Sequence, residues 1–195
     1  AECGKSDVVV FTGNYENFTT LRKQCPQETL ILFNGAGHNP FVITESADID
    51  LAVNKALQAR LFNSGQDCAA PDAFLVHASV AEQFITRLKE RLKTVGGGAD
   101  YKIPSVRVGP LLEGGVDRFT QILKEAVASG AVIADGGRID IKRNVVEPCV
   151  CVSDIKQFVN FTELYSPLFM VAVYQEESEL AHYFQDDHGK YKQKQ

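Results

Sequence analysis

Apolar residues recur along this chain with two different periods. Uninterrupted short runs, "VVVF" within Asp7 to Gly13, "TLILF" at Thr29 to Phe33 and "PFVI" from Pro40, are bounded by Gly, Asn and Pro. That is the pattern of short buried strands closed by turns. Between such runs the spacing changes to 3.6. Ile49, Ala52, Val53, Ala56, Leu57 and Leu61 fall on one helical face, Ser46 and Asp48 precede them as N-cap residues, and Gly65 is placed to stop the helix. Ser79 and Glu82 have the spacing of a capping box ahead of Val80, Phe84, Leu88 and Leu92. A further stripe, Phe119, Ile122, Leu123, Ala126 and Val127, ends at Gly130.

The strands "AFLVH" (Ala73 to His77), "AVIA" with its "DGG" turn, "VVEPCVCV" and "PLFMVAVY" complete the alternation. Strands separated by amphipathic helices predict an α/β fold: an open, largely parallel sheet in three layers, with helices on both faces. The stretch "VGGGADYKIPS", Val95 to Ser105, reads as a glycine-rich surface loop. Both chain ends read as cut, and the tail "GKYKQKQ" is too polar to pack.

Composition narrows the function classes. With 45% hydrophobic and 23% charged residues in 195, the chain has the makings of a sizeable core without disulfide or metal staples. The net charge of −5 argues against nucleic acid, whose phosphates select basic faces. No apolar run reaches the roughly 18 residues of a membrane span, and "AECGKSD" has no apolar signal-peptide core. The cysteine count of five is odd and its spacing describes no disulfide framework, so a reduced, cytoplasmic interior is expected. Cys149 and Cys151 alternate onto one strand face, but no second Cys/His pair at ligand spacing joins them, and no metal site is expected.

Cys68 stands apart, in "LFNSGQDCAA", just past the apolar helix and before a strand. The thiolate is the reactive form of cysteine, and a loop beside helix ends both favours it and leaves it reachable. The alternative is one more packed cysteine. The order of "FNGAGHNPFVITESADIDLAV", "FNSGQDCAA", "VGPLL", "GGR", "EPCV" and "TELYSPLF" decides the reading, because it resembles the aldehyde dehydrogenase superfamily block by block from about Val8 to Glu179.

The resemblance implies an oxidoreductase in which Cys68 attacks an aldehyde carbonyl to form a thiohemiacetal. Hydride then leaves for NAD or NADP, and the resulting thioester is cleaved. Glu163 matches the residue that holds the cofactor ribose, Tyr165 packs near the nicotinamide, and Gly13 belongs to the cofactor turn. Glu163 also reads as a surface acid beside a core aromatic, and Asn63 as either a helix cap or a pocket residue. The implied organisation is 1–33 as the last part of a dinucleotide-binding domain, 34–183 as the catalytic domain and 184–195 as a polar tail. Upstream residues of a longer parent would then carry the amide of the oxyanion hole and set NAD against NADP. The partners implied are a small aldehyde and, for the parent, further copies of itself.

The chain departs from the family pattern around the expected pocket. Asn34 stands where hydrolytic members carry a glutamate base, and an amide cannot take a proton from water. Phe18 replaces a glycine of the cofactor turn, Ser166 the glycine of an "FGP"-like turn, His38 a lysine, and Ala73 an arginine. Asn34 fits an acylating enzyme in which coenzyme A replaces water. Asn34 and Phe18 together also fit a non-catalytic binding or assembly module.

Overall fold

A computed structural model of the chain describes residues 5–97 and 106–194. It contains two compact units, one ending at Gly37 and the other spanning His38–Gln193.

The first unit holds β1 (Val8–Thr12), α1 (Tyr15–Arg22) and β2 (Leu30–Asn34). β1 and β2 pair in parallel, Val8 opposite Leu30 through Thr12 opposite Asn34. Asn14 caps α1 by accepting from the Asn17 N–H at 2.8 Å. Period-2 alternation turns Phe11 and Phe33 to one face, where Phe18 of α1 stacks on Phe33 with ring centroids 4.3 Å apart. The opposite face, Val8, Val10, Leu30 and Leu32, is exposed.

The second unit contains β3 (Pro40–Ile43), α2 (Ile49–Leu61), β4 (Ala73–His77), α3 (Ala78–Leu92), β5 (Gly96–Gly97), β6 (Val106–Val108), α4 (Gly115–Ala128), β7 (Val132–Gly136), β8 (Ile139–Asp140), β9 (Val145–Val146), β10 (Cys149–Asp154), β11 (Leu168–Tyr174) and α5 (Glu177–Lys194). Its main sheet has the order β3-β4-β11-β10-β7. The first four strands run parallel, and β7 is antiparallel to β10. Phe74, Val76, Phe169 and Val171 face α2 and α3, where Ala56, Phe84 and Leu88 are fully buried. Ala73, Leu75, Cys149, Cys151 and Met170 face the other way, toward Phe119 and Ile122 of α4. This is the expected three-layer arrangement, and fully burying a Phe or Leu of this kind stabilises the fold by about 1.5–3 kcal/mol.

Local details differ from the sequence pattern. Asp48 caps α2 through the Leu51 N–H at 3.0 Å, whereas the Ser46 hydroxyl pairs with that of Thr44. The expected capping box is corrected: α3 begins one residue before Ser79, and His77 is its cap, accepting from the Ser79 N–H. Ser79 lies within the first turn of the helix, and its hydroxyl is engaged with the same ring nitrogen at 2.7 Å. The glycine-rich loop from Val95 falls outside the described residues between 98 and 105, and its flanks pair as β5 and β6. α5 continues through the polar tail, where a helix was not expected. It is started by Glu179, whose carboxylate accepts from the Gln175 N–H at 2.6 Å, and anchored by buried Tyr183.

One topological feature positions the site. Asn39 precedes β3, Asp72 precedes β4, and the 163–166 segment precedes β11, all leading ends of neighbouring parallel strands. Adjacent strands lie about 4.8 Å apart, so the register of this sheet brings those three chain segments together.

Candidate functional site

The cysteine loop begins where α2 gives way to a 3₁₀ turn at Phe62–Gly65. Asn63 and Ser64 there take left-handed backbone, φ 47° and 60°. The Asn63 amide closes this turn on the Gln66 carbonyl at 3.0 Å rather than capping α2. Gln66 ties the turn to the "VGPLL" segment, accepting from the Leu112 N–H at 2.7 Å and donating to the Pro110 carbonyl at 3.3 Å. The Ser64 hydroxyl accepts from the Gly109 N–H at 2.7 Å. Gly65 (φ +79°) lies against the backbone of Ser166: a Cβ there would sit 2.5 Å from the Ser166 carbonyl carbon. Residues before Cys68 are thus committed to holding the loop, while Cys68 itself is exposed.

Behind the loop is a buried polar cluster. Arg60 is fully buried and Asp72 is 2% exposed. The Arg60 guanidinium donates to the carbonyls of Gly65 and Pro71, the latter at 2.7 Å, and pairs with Asp72 at 3.4 Å. The Asp72 carboxylate also accepts from the Leu164 N–H at 2.9 Å and the Asn39 N–H at 3.1 Å. The Asn39 side-chain amide donates to the carbonyls of Cys68 at 2.7 Å and Ala70 at 3.3 Å. Burial pushes the Asp72 carboxyl from 3.8 up to about 6, against the pull of both N–H groups and Arg60. Burial likewise holds Arg60 below its usual value, with the Asp72 charge opposing. Arg60 Nε and Ser166 Oγ are buried without a hydrogen-bond partner among the described residues.

The facing segment carries Glu163, buried, and Tyr165, half-buried in left-handed backbone at φ 47°. The Tyr165 hydroxyl is raised above its usual pKa by burial first, then by the Glu163 charge and by Cys68. Those influences bring Cys68, Tyr165 and Glu163 into one locality. Arg118 of α4 donates to the Glu163 carbonyl at 2.5 Å and lies 5.6 Å from the centre of the Tyr165 ring, a cation–π contact.

The other cysteines contrast with Cys68. Burial pushes the Cys149 thiol up to about 12 and Cys151 up to about 11. Cys25 is half-buried, and Cys3 lies outside the described residues. No group of three His, Cys, Asp or Glu side chains is arranged to hold a metal among the described residues. Nor is any helix there long and apolar enough to cross a membrane.

Gly13 and Asn34 belong to the first unit, at the carboxyl ends of β1 and β2, which is where open α/β sheets hold ligands. The Gly13 N–H donates to the Asn34 carbonyl at 3.1 Å. A Cβ at Gly13 would meet the Phe11 ring at 2.9 Å. Asn34 is exposed, and its amide donates to the Thr12 hydroxyl at 3.4 Å. His38, in the second unit, engages the Tyr183 hydroxyl.

Periodicity could have flagged Arg60, since it falls four residues after Ala56 on the apolar stripe of α2. Asp72, a charge abutting a continuous apolar strand, carries a similar signal. Nothing along the chain marks Asn39 or Arg118 as contacts of the site.

The chain matches the aldehyde dehydrogenase family over residues 1–188. A probable NADP-dependent succinate-semialdehyde dehydrogenase of Sinorhizobium fredii is 33% identical over 160 residues, covering 80% of this chain and 32% of the relative. The NADP-dependent succinate-semialdehyde dehydrogenase of Mycobacterium avium is 36% identical over 129 residues, 65% of this chain and 27% of that protein. The chain therefore spans about a third of the length of the curated relatives it matches. Among solved structures, an aldehyde dehydrogenase of Brucella melitensis superposes with a TM-score of 0.83 at 24% identity, over 93% of this chain and 38% of that one. Betaine aldehyde dehydrogenase of Staphylococcus aureus, in complex with NAD+, gives 0.76 at 27% identity, over 92% and 37%.

Proposed function

Because this chain belongs to the aldehyde dehydrogenase family, we propose that it supplies the nucleophile, Cys68, and a cofactor-holding segment, Glu163 and Tyr165, to an NAD- or NADP-dependent oxidation of a small aldehyde. The observation that carries this reading is the contrast at Cys68: an exposed thiol on a loop whose flanking backbone is pinned by Gln66, Asn39 and Arg60. A nucleophile needs reach and fixed aim together.

In the proposed reaction the Cys68 thiolate attacks the aldehyde carbon, a C–S bond forms, and the carbonyl oxygen takes the negative charge. Collapse of this thiohemiacetal expels hydride and leaves an acyl thioester on Cys68, which water cleaves to give the carboxylic acid and the free thiol. A bound nicotinamide dinucleotide supplies the hydride acceptor. Glu163 has the chemistry to hold its ribose, since a carboxylate offers about four lone-pair sites to hydroxyl donors. Arg118 fixes the Glu163 main chain and the Tyr165 ring, so the acceptor oxygens and the aromatic face are oriented as a unit. Residues 1–33, with Gly13, are read as the end of the dinucleotide-binding portion, and 34–183 as the catalytic portion. The parent protein is read as a cytoplasmic homo-oligomer.

A second reading rests on Asn34, whose exposed amide donates to Thr12 and has no basic lone pair to deprotonate water. The thiol of coenzyme A would then take the acyl group from Cys68. Three measurements test these readings. Iodoacetamide followed by mass mapping should modify Cys68 before the other cysteines, and equal labelling would overturn the nucleophile assignment. In the full-length parent, acid formation at full rate without coenzyme A would exclude the acylating reading. Loss of dinucleotide reduction in Cys68→Ala would support the shared mechanism.

A further inference from the structure

Three chain segments that are far apart in sequence meet at the leading ends of β3, β4 and β11, and one buried carboxylate bonds to the backbone of two of them. Asp72, itself in the cysteine loop's return to β4, accepts from Asn39 at 3.1 Å and from Leu164 at 2.9 Å. Leu164 is the residue between Glu163 and Tyr165. Asn39 in turn holds the Cys68 carbonyl at 2.7 Å, and Arg60 holds the carbonyls on either side of the loop, Gly65 and Pro71. We infer that Asp72, with Asn39 and Arg60, is a positioning cluster that sets the placement of the Cys68 loop relative to the Glu163–Tyr165 segment. The functional meaning of this rests on the reading of Cys68 and Glu163 given above; the structural claim does not.

The chemistry suits such a role better than it suits stability. A buried ion pair contributes little net stability because both ions lose hydration, but each of its bonds is directional. Here those bonds are spent on backbone groups of the loops rather than on the pair alone. Asp72 faces the Arg60 guanidinium from α2, the Glu163 carboxylate from the opposite segment and the two N–H donors. Asp67 adds a further negative charge near Arg60. Raised to about 6, the Asp72 carboxyl is mostly ionised at neutral pH and accepts both N–H groups as an anion. Because the one carboxylate bonds to both segments, a change in its charge reaches the two loops together.

Hydrogen–deuterium exchange on the intact chain tests this. Asp72→Asn should speed exchange in both 65–71 and 163–166 by about tenfold at neutral pH, with the β11 core little changed. In the wild type, exchange corrected for intrinsic rate should slow in both segments as pH falls through about 6, because the raised folded value means that protonation favours the closed state, and the variant should lack that step. A merely structural residue would loosen the whole sheet and show no such segmental pH profile. Response of one segment only, of neither, or of the whole sheet equally would overturn the inference. If Asp72→Asn does not fold, Asn39→Ala decides. It removes only the amide bonds to Cys68 and Ala70, so faster exchange confined to 67–70 supports the cluster, and unchanged exchange overturns it. Failure of selective Cys68 alkylation would instead sink the nucleophile assignment while leaving these exchange results standing.

Discussion

Replacing Gly65 with alanine tests whether the close approach of two loops organises the site. Two costs follow from the geometry. At φ +79° an alanine sits in left-handed backbone, a penalty of roughly 1–2 kcal/mol. Its Cβ would also lie 2.5 Å from the Ser166 carbonyl carbon, where ordinary contact begins at 3.4 Å, so the two backbones must part by about 1 Å. Overpacking of that kind costs about 1–3 kcal/mol, and here neither partner is a flexible side chain that could swing away. The sum, about 2–5 kcal/mol, corresponds to a fall of roughly 5–15 °C in Tm for a chain of this size. Gly114 supplies the control. Its φ of +74° is nearly the same, but nothing lies within 4 Å of a Cβ built there, so Gly114→Ala carries the conformational cost alone. Thermal unfolding of both variants, with the rate of Cys68 alkylation measured beside it, separates the two contributions. Should Gly65→Ala melt no lower than Gly114→Ala and alkylate at the wild-type rate, the loop contact does not organise the site.

At mildly alkaline pH only about one in a thousand or fewer of the Cys149 and Cys151 thiols is ionised, so iodoacetamide should reach Cys68 while leaving both intact until the chain is unfolded. Arg60→Met leaves the Asp72 carboxylate buried without its cation and should cost about 3–5 kcal/mol in denaturant melts; Arg60→Met/Asp72→Leu should recover part of that, and a double variant less stable than the single would contradict the account. Glu179 is held at about 2, below its usual 4.5, by Lys156 and the Gln175 N–H. Its contribution is therefore present above pH 4.5 and lost as pH falls toward 2, and Glu179→Gln should flatten stability across that window. Asp72 runs the other way: its folded value of about 6 exceeds 3.8, so its contribution is full below 3.8 and is lost as pH rises through 6, a dependence Asp72→Asn should abolish.

Much of this architecture is legible along the chain because it is periodic. Runs such as "AFLV" and "LFMVAV" are apolar at every position since both faces of their strands are covered, and the stripe from Ile49 to Leu61 repeats at 3.6 because one face of α2 is. Cys68 could be placed in a loop because that stripe stops before it. Alternation of the two periods then leads to a parallel sheet between two helical layers. Cap identity was harder to read. Ser79 and Glu82 have the spacing of a box, yet His77 is the cap, because its ring is already held by the Gln175 carbonyl 98 residues away.

The sequence by itself determined the apolar strands of the main sheet, the helices α2, α3 and α4, the layering their alternation implies and the loop that carries the Cys68 thiol, all of which follow from periodicity along the chain. The tertiary structure alone decided what surrounds that thiol. Asp72 finds Leu164 across 92 residues, Gly65 meets the Ser166 backbone, and Arg118 reaches Glu163, each through the order in which β3, β4 and β11 lie side by side. Period and propensity report what a residue prefers locally. Which distant carbonyl or N–H completes a buried charge is set by strand order and register, and those exist only once the sheet has formed.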